Sequence, residues 1–338
     1  MTSVRRVRLV LFAILIVTIG SATVLVPNFF QPYNIYQVLQ NGVTLGLVAI
    51  AEALVILTGD GAIDLSVGSM LSLSGMILGV LAIEHRVPLS IAVGGGVLCG
   101  MVLGAINGWL VSVIRIPPLI ATLATFYCYA AIALQITHTR PLPDATRPEL
   151  AAAFSPSLVE IGNGNVQDVP PLGWIPHLAG LGIPFQLGFI YVPIAIVVAF
   201  VLIRTVAGRY LYAVGTNALA ARFAAIDVWG IRFWTYVAAG ALCGIAGVVQ
   251  TALSASATPD AGASLNLAAI TIAIFGGIGI AGGVGDVIGV VLATAIVVFL
   301  DDALGLRLGS GAGVWQPFAL GVLLIGSAFI SARRRLPN

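Results

Sequence analysis

Acidic residues inside apolar sequence are the first groups in this chain that could do chemistry. Asp60 and Asp64 lie within residues 58–69, a segment rich in Gly and Ser, and Glu52 precedes it in an apolar run. Where such runs cross a membrane, carboxylates are costly and mark substrate paths or proton relays. Irregular backbone is tolerated there only where it is buried in protein or lines a cavity. The segment therefore predicts either a functional polar site that lines a cavity or is buried in protein, or a plain cytoplasmic turn in which Asp64 caps the next helix; the two interpretations are compatible.

A glycine-rich stretch, residues 275–286, offers a second possible site. Gly277, Gly279 and Gly282 match G-x-G-x-x-G by letter. A dinucleotide site needs a preceding strand and an acidic residue about 20 positions further on, whereas long apolar runs flank this stretch on both sides. A tight, close-packed turn between two helices is the favoured interpretation.

The familiar motifs of catalysis are not found in the sequence. It contains no P-loop, no H-E-x-x-H and no G-x-S-x-G. Its three histidines, His85, His138 and His177, have no metal-ligand spacing. The chain is therefore predicted to be no enzyme, to bind no metal or cofactor itself, and to be unable to hydrolyse ATP by itself.

Composition indicates which elements must position these groups. Of the 338 residues, 59% are hydrophobic and 8% are charged, against about 25% charged residues in ordinary soluble domains. A water-soluble protein of this length could not bury so much apolar surface. The net charge of +2 is too small to indicate a nucleic-acid partner. The composition predicts a protein embedded in a lipid bilayer.

Apolar runs near the length of a spanning helix, about 20 residues, occur ten times in the sequence. We place them near residues 9–26, 42–58, 65–83, 89–113, 118–137, 188–206, 232–253, 266–280, 286–304 and 314–331. The first run is interpreted as a retained span rather than a cleaved signal peptide. The predicted fold class is all-α, a polytopic membrane helix bundle of about ten transmembrane helices forming one domain over residues 1–338.

Arginine placement predicts the orientation of the bundle. All 15 basic residues are Arg, and cytoplasmic loops hold the excess of such residues. With the N-terminus inside, 11 arginines fall on the inner side and 4 on the outer side, namely Arg86, Arg140, Arg147 and Arg307. Both termini are therefore predicted to be cytoplasmic.

Two long loops separate the predicted spans. The outer loop, residues 138–187, is rich in Pro and Gly, and we expect a short interfacial helix near residues 147–154. The inner loop, residues 207–231, is Ala-rich, amphipathic and basic, which predicts a short helix at the cytoplasmic surface.

Glycines repeat every four residues within several spans, which puts small residues on one helix face and predicts tight helix packing. The repeats are Gly96, Gly100, Gly104 and Gly108, with shorter ones at Gly75 and Gly79, Gly240 and Gly244, and Gly285 and Gly289.

Four motifs in series resemble a known family. They are Gly61-Ala62-Ile63-Asp64-Leu65-Ser66-Val67-Gly68-Ser69; Asn107-Gly108 followed by Ile116 to Leu123; Gly208-Arg209 with Tyr212, Ala213, Gly215 and Asn217; and Gly276-Gly277 with Gly282-Gly283-Val284-Gly285. On these motifs the chain, over roughly residues 43–330, resembles the permease subunits of ABC sugar importers of the ribose, galactose, xylose and autoinducer-2 type.

The resemblance implies a division of labour among several chains. Two permeases, as a homodimer or with a paralogue, would form a sugar path across a bacterial inner membrane. A separate ABC ATPase subunit would bind the ATP, and an extracytoplasmic binding protein would deliver the sugar. The implied ATPase-coupling residues are Arg209, Tyr212, Gly215, Asn217 and Arg222, and the implied structural glycines are Gly61, Gly68, Gly276, Gly277, Gly282, Gly283 and Gly285.

Sugars are neutral polyols, so a sugar path should offer hydrogen-bonding groups rather than fixed charge pairs. The path residues we expect are Asn41, Thr44, Asp64, Ser66, Asn107 and Thr122.

The sequence also departs from the family pattern. The usual Glu-Leu-Asp-Ala-Ile is Asn266-Leu267-Ala268-Ala269-Ile270 here, and a usual Asn-Asn pair is Asp301-Asp302. These departures mean that the sequence does not identify which sugar is carried. An alternative function is ion-coupled secondary transport that uses Glu52 and Asp64, since glycine-interrupted spans also occur at transporter binding sites.

Overall fold

The structure is a computed structural model that describes residues 2–144, 156–175 and 181–333. Its helices are α1 (Thr2–Leu25), α2 (Pro32–Leu57), α3 (Val67–Gly79), α4 (Leu89–Ser112), α5 (Pro118–Ile136), α6 (Pro156–Asn163), α7 (Val192–Arg204), α8 (Val206–Thr216), α9 (Ala218–Phe223), α10 (Val228–Ser254), α11 (Leu265–Phe275), α12 (Val287–Leu308) and α13 (Ala312–Arg333). A π-helical turn, Val80–Glu84, extends α3, and another, Gln186–Tyr191, leads into α7. Within these ranges the extended structure is limited to two isolated β-bridges. The all-helical prediction is confirmed for the described part of the chain.

Eight helices in the described ranges are long and apolar enough to cross a membrane. They correspond to eight of the ten predicted spans. The predicted span 266–280 was too long, because its helix, α11, has 11 residues, about 16 Å, against a hydrocarbon thickness of about 30 Å. Gly276 and Gly277 follow it directly and end the apolar helix. The predicted span 314–331 falls within α13, a helix of 22 residues.

Helix α2 begins ten residues before its predicted span, at Pro32. Proline suits the first turn of a helix, where its missing N–H costs nothing. The early turns carry polar side chains that have partners in the fold. Asn34 Nδ2 donates to the Phe29 carbonyl oxygen at 2.9 Å and to Asp302 Oδ2 at 2.7 Å, and Gln40 Nε2 donates to the Gly162 carbonyl oxygen at 3.2 Å. Because these early turns are polar, the apolar pattern did not predict them as part of the helix.

The centre of the bundle is formed by α2, α3 and α10. Almost every residue of α2 from Val43 to Leu57 is buried, and the α2 core continues into buried side chains of α3, α10, α11 and α12. The outer helices α1, α4, α5 and α7 expose large apolar side chains such as Val24 and Ile196. Such faces are expected where a helix meets lipid.

Glycines allow α4 and α10 to pack backbone against backbone. A Cβ added to Gly100 would overlap the Gly240 carbonyl oxygen and lie 2.7 Å from Gly244 Cα, and one on Gly104 would lie 3.0 Å from Gly240 Cα. The predicted glycine ladder is confirmed as a packing device.

The long loop after α5 closes over one end of α10. A Cβ on Gly162 in α6 would overlap the backbone of Ala252, and Asn163 Nδ2 lies 3.4 Å from the Leu253 carbonyl oxygen. The helix predicted near residues 147–154 lies outside the described residues, as do Arg147, His177, Arg334 and Arg335. The single-domain assignment of residues 1–338 stays a prediction.

The α4–α10 contact can be tested with matched glycines on α4. Gly100→Ala should lower the apparent melting temperature of the detergent-purified protein, because overpacking a tight contact costs about 1–3 kcal/mol. Gly94→Ala, where the added Cβ meets nothing within 4 Å, should leave it unchanged or slightly raised. Equal melting temperatures for the two variants would contradict this packing.

Candidate functional site

Side chains from three helices surround residues 58–66, the turn that joins α2 to α3. The backbone N–H of Asp64 donates to Glu52 Oε1 at 3.2 Å. Glu52 lies five residues before the end of α2, about 8 Å back along the helix axis. The turn therefore folds back into the bundle instead of leaving it.

The carboxylate of Asp64 accepts several hydrogen bonds. The donors are Ser66 N at 2.8 Å, Ser66 Oγ at 2.6 Å and Asn107 Nδ2 at 3.4 Å. Asn107 Nδ2 also donates to Ser66 Oγ at 2.7 Å, and the Tyr129 hydroxyl donates to Asn107 Oδ1 at 3.2 Å. Asp64, Ser66 and Asn107 are fully buried. A buried carboxylate is tolerated only when such donors are present.

Helix α5 holds the same turn through Thr122. The Thr122 hydroxyl accepts from the backbone N–H of Leu65 at 3.2 Å and lies 3.1 Å from the Ile63 carbonyl oxygen. We call Glu52, Asp64, Ser66, Asn107, Thr122 and Tyr129 the Asp64 cluster. Asp64 lies in a buried polar cluster, as the first interpretation expects, but the predicted helix cap is not formed: the N-cap residue of α3 is Ser66, and α3 has no side-chain cap hydrogen bond.

The structure brings together four of the six expected path residues and separates the other two. Asp64, Ser66, Asn107 and Thr122 belong to the Asp64 cluster. Thr44 is buried in α2, eight residues before Glu52, and Asn41 lies on the wall of a separate cavity. What the geometry of the cluster does is hold an irregular turn inside the helix bundle.

Two polar residues outside the expected set complete this region. Tyr129 bonds Asn107, and Asn266 Oδ1 accepts from the backbone N–H of Gly68 at 2.7 Å. Asn266 stands where the family pattern has an acid, and it ties α11 to the start of α3. Sequence reasoning noted the substitution but had no signal for its partner, which lies 198 residues away.

The glycine-rich stretch is a packed turn between α11 and α12. Gly282 and Gly283 have φ values of +84° and +69°, which favour glycine. The backbone N–H of Gly283 donates to the Leu57 carbonyl oxygen at 3.1 Å, and a Cβ on Gly283 would lie 2.5 Å from Thr216 N. The other predicted structural glycines occupy similar places: Gly61, Gly277 and Gly285 have positive φ, and neighbouring backbone approaches Gly68 and Gly276. Because this stretch is a close-packed turn between two helices, it does not form the strand–turn–helix unit of a dinucleotide site.

Helices α8 and α9 form the predicted helical segment of the inner loop, which we call the α8–α9 segment (residues 206–223). Thr205 Oγ1 accepts from Gly208 N at 3.3 Å and starts α8, and Asn217 Oδ1 accepts from Ala220 N at 2.9 Å and starts α9. Gly215 packs against the Leu57 carbonyl oxygen and the backbone of Gly283. The end of α2, the end of α8 and the glycine turn therefore meet at one point, the backbone junction.

Tyr212 fixes the α8–α9 segment to the glycine turn. Its hydroxyl donates to the Gly285 carbonyl oxygen at 2.8 Å. Burial, and secondarily the nearby Asp286 carboxylate, raises the pKa of Tyr212 to about 12, so the phenol keeps the proton that it donates at neutral pH. Asp286 in turn caps α12 through Gly289 N at 2.9 Å and pairs with Arg8 Nε of α1 at 3.1 Å.

The outer face of the α8–α9 segment is uncovered. Of the predicted coupling residues, Tyr212 and Gly215 contact the bundle and Asn217 caps α9, whereas Arg209 and Arg222 are exposed. Beside Arg222, the apolar side chains of Leu219 and Phe223 are 65% and 85% exposed. Exposed apolar residues together with basic ones indicate a surface for a partner. Sequence reasoning missed Leu219 and Phe223, although their spacing of four residues puts them on one helix face.

A cavity of about 530 Å³ lies between α2, α11, α12 and α13. Its wall is mostly apolar, with polar groups from Asn41, Ser264, Thr271, Asp301 and Gln316. Ligand pockets commonly span roughly 300–1,000 Å³ and combine an apolar wall with a few polar groups. This cavity has both properties.

The eight long apolar helices of the described residues define a multi-pass membrane protein. The family model for the permease component of branched-chain amino acid transport systems matches residues 34–328. The chain belongs to this permease family, which confirms the resemblance seen in its motifs.

Curated relatives match most of the chain. It is 31% identical over 298 residues to the ribose import permease of Haemophilus influenzae, covering 87% of this chain and 84% of the relative. It is 30% identical over 319 residues to the fructose import permease of Rhizobium meliloti, covering 93% and 82%. It is 33% identical over 262 residues to the LsrD permease of the autoinducer 2 import system of an Enterobacter strain, covering 78% and 74%. No solved structure matches the chain.

The structural role of the Asp64 cluster can be tested at its centre. Asp64→Ala would leave the donors of Ser66 and Asn107 without their acceptor in a buried place, at a cost of about 1–3 kcal/mol. We expect a lower melting temperature and less folded protein in the membrane. Asp260→Ala, which removes an exposed carboxylate, should change neither. Wild-type stability together with lost transport would instead assign Asp64 to the substrate path.

Proposed function

We propose that this chain is the membrane-spanning subunit of an ATP-driven importer for a small sugar or related polyol. It would cross a bacterial inner membrane about ten times, with both termini in the cytoplasm. A separate ABC ATPase subunit would bind and hydrolyse the ATP, an extracytoplasmic binding protein would deliver the sugar, and a second permease copy or a paralogue would complete the path.

The observation that carries the proposal is the uncovered face of the α8–α9 segment. Leu219 and Phe223 are apolar and exposed, with Arg209 and Arg222 on the same segment. Aromatic and Arg side chains dominate many protein interfaces, and Phe223 with the two arginines supplies both types. The orientation predicted from arginine placement puts this face in the cytoplasm, where an ATPase would reach it.

The backbone junction supports a route from this face to the spans. Gly215 packs on the end of α2, Tyr212 bonds the glycine turn, and that turn leads into α12. Packed backbone transmits displacement because protein interiors compress little. A partner that moves α9 would therefore move α2 and α12 with it.

Two observations favour a sugar over the amino acids in the family description. The relatives reported above carry ribose, fructose and autoinducer 2 in their names. The cavity lining includes no Arg or His that could pair with an amino acid carboxylate.

The ATPase docking surface can be tested with paired variants. Leu219→Ser with Phe223→Ser should reduce co-purification of the ATPase about tenfold, because interface hot spots are often worth 1–2 kcal/mol or more each. Both side chains are exposed, so the melting temperature should stay unchanged. Phe30→Ser, which removes a 63% exposed aromatic residue near the start of α2, should retain the ATPase. Full ATPase recovery with the double variant would overturn the docking assignment.

One observation favours ion-coupled transport as a second candidate. Glu52 is fully buried, and its Oε2 atom has no hydrogen-bond partner among the described residues. Glu52→Gln keeps an oxygen for the Asp64 N–H, so an ATP-driven importer should retain uptake in this variant. An ion-coupled transporter would lose uptake with Glu52→Gln and keep it with the double variant on α9.

A further inference from the structure

The cavity between α2, α11, α12 and α13 contains a single carboxylate. Asp301 supplies it, and the remaining polar lining is neutral: Asn41, Ser264, Thr271 and Gln316. Gln316 Nε2 donates to the Asp301 carbonyl oxygen at 3.1 Å, so α13 is tied to α12 beside the carboxylate. No lining residue of this cavity is an Arg or a His. A negative charge at this wall therefore has no basic counterpart in the lining.

The helical geometry of α12 separates two adjacent carboxylates. Successive residues of a helix point about 100° apart. Asp301 lines the cavity, whereas Asp302 accepts a hydrogen bond from Asn34 Nδ2 at 2.7 Å and is not part of the lining.

We propose that this cavity binds an uncharged polyol and that Asp301 makes it reject the anionic counterparts of that polyol, such as sugar phosphates and sugar acids. The inference rests on the proposed function and extends it to a site and a substrate class. The hydroxyl groups of a polyol donate to a carboxylate, and charge-assisted hydrogen bonds are about twice as strong as neutral ones. A phosphate or carboxylate on the sugar meets repulsion instead.

The charge at the cavity wall can be measured without knowing the substrate. Asn41 lines the cavity from α2, so Asn41→Cys places a thiol there. The three native cysteines, Cys99, Cys128 and Cys243, are free and are first replaced by Ala in the full-length protein. The thiol is then treated in membrane vesicles with a cationic or an anionic methanethiosulfonate reagent, and the two modification rates are compared.

Asp301 should favour the cationic reagent. The ratio of cationic to anionic rates should fall on the order of fivefold with Asp301→Asn, as expected for one unit charge several Å away in a wet site. Asp302→Asn removes the same charge one residue further on and should change the ratio less than twofold. An unchanged ratio with Asp301→Asn, or an equal fall with Asp302→Asn, would overturn the proposal.

Ligand protection tests the substrate class on the same preparation. At least one of ribose, fructose, xylose and galactose should slow the modification of Asn41→Cys, whereas ribose 5-phosphate and galacturonate should not. Equal protection by the anions, or protection by none of the sugars, would contradict a polyol site. ATPase co-purification through α9 is measured in parallel, so a failure of the cavity proposal is distinguishable from a failure of the importer proposal.

Discussion

The fold depends on a contact between three stretches of backbone. The end of α2, the end of α8 and the turn before α12 meet at Leu57, Gly215 and Gly283, where a side chain on either glycine would overlap its neighbours. The hydrogen bond from Gly283 N to the Leu57 carbonyl oxygen closes the contact at 3.1 Å. A helix segment outside the spans is thereby joined to the buried helix α2 without flexible side chains in between. The proposed coupling to a partner relies on this rigidity.

The cost of polar groups in a membrane explains what lies next to that junction. The turn after α2 re-enters the bundle, so its N–H and C=O groups need partners from protein. Glu52 and Thr122 supply them, Asp64 accepts from the N–H of Ser66, and Asn107 donates to the side chains of Asp64 and Ser66. Apart from Glu52 Oε2, which has no hydrogen-bond partner among the described residues, the side chains of the cluster are hydrogen-bonded to one another or to the turn, and such a network favours one rigid conformation. Unlike the buried Asp64 cluster, the cavity lined by Asn41 and Asp301 has polar groups that a ligand could reach.

The sequence predicted helices well where the need of the backbone to form its own hydrogen bonds in lipid decides the structure. Lipid leaves the backbone no partner other than itself, so apolar runs become helices, and eight of them are long enough to span. The rule failed at the start of α2, where Asn34 and Gln40 are polar yet bonded within the fold, and at α11, where Gly276 ends the helix early. The segment at residues 58–69 was recognised as polar, but its partners lie 12 to 198 residues away and leave no periodic signal. The exposure of Phe223 depends on how α9 lies against the bundle, which the local sequence does not specify.

The most direct test is to ask what lies against α9 in the native membrane. A photo-crosslinking amino acid at position 223 of the tagged full-length chain would be activated in membranes, and the adduct identified by mass spectrometry. Our account predicts an adduct with a protein that carries the ATP-binding motif G-x-x-x-x-G-K-[ST], and none with it when the same group replaces Phe30. An intact preparation that yields only lipid adducts at position 223, with uptake still active, would contradict an ATP-driven permease coupled through α9.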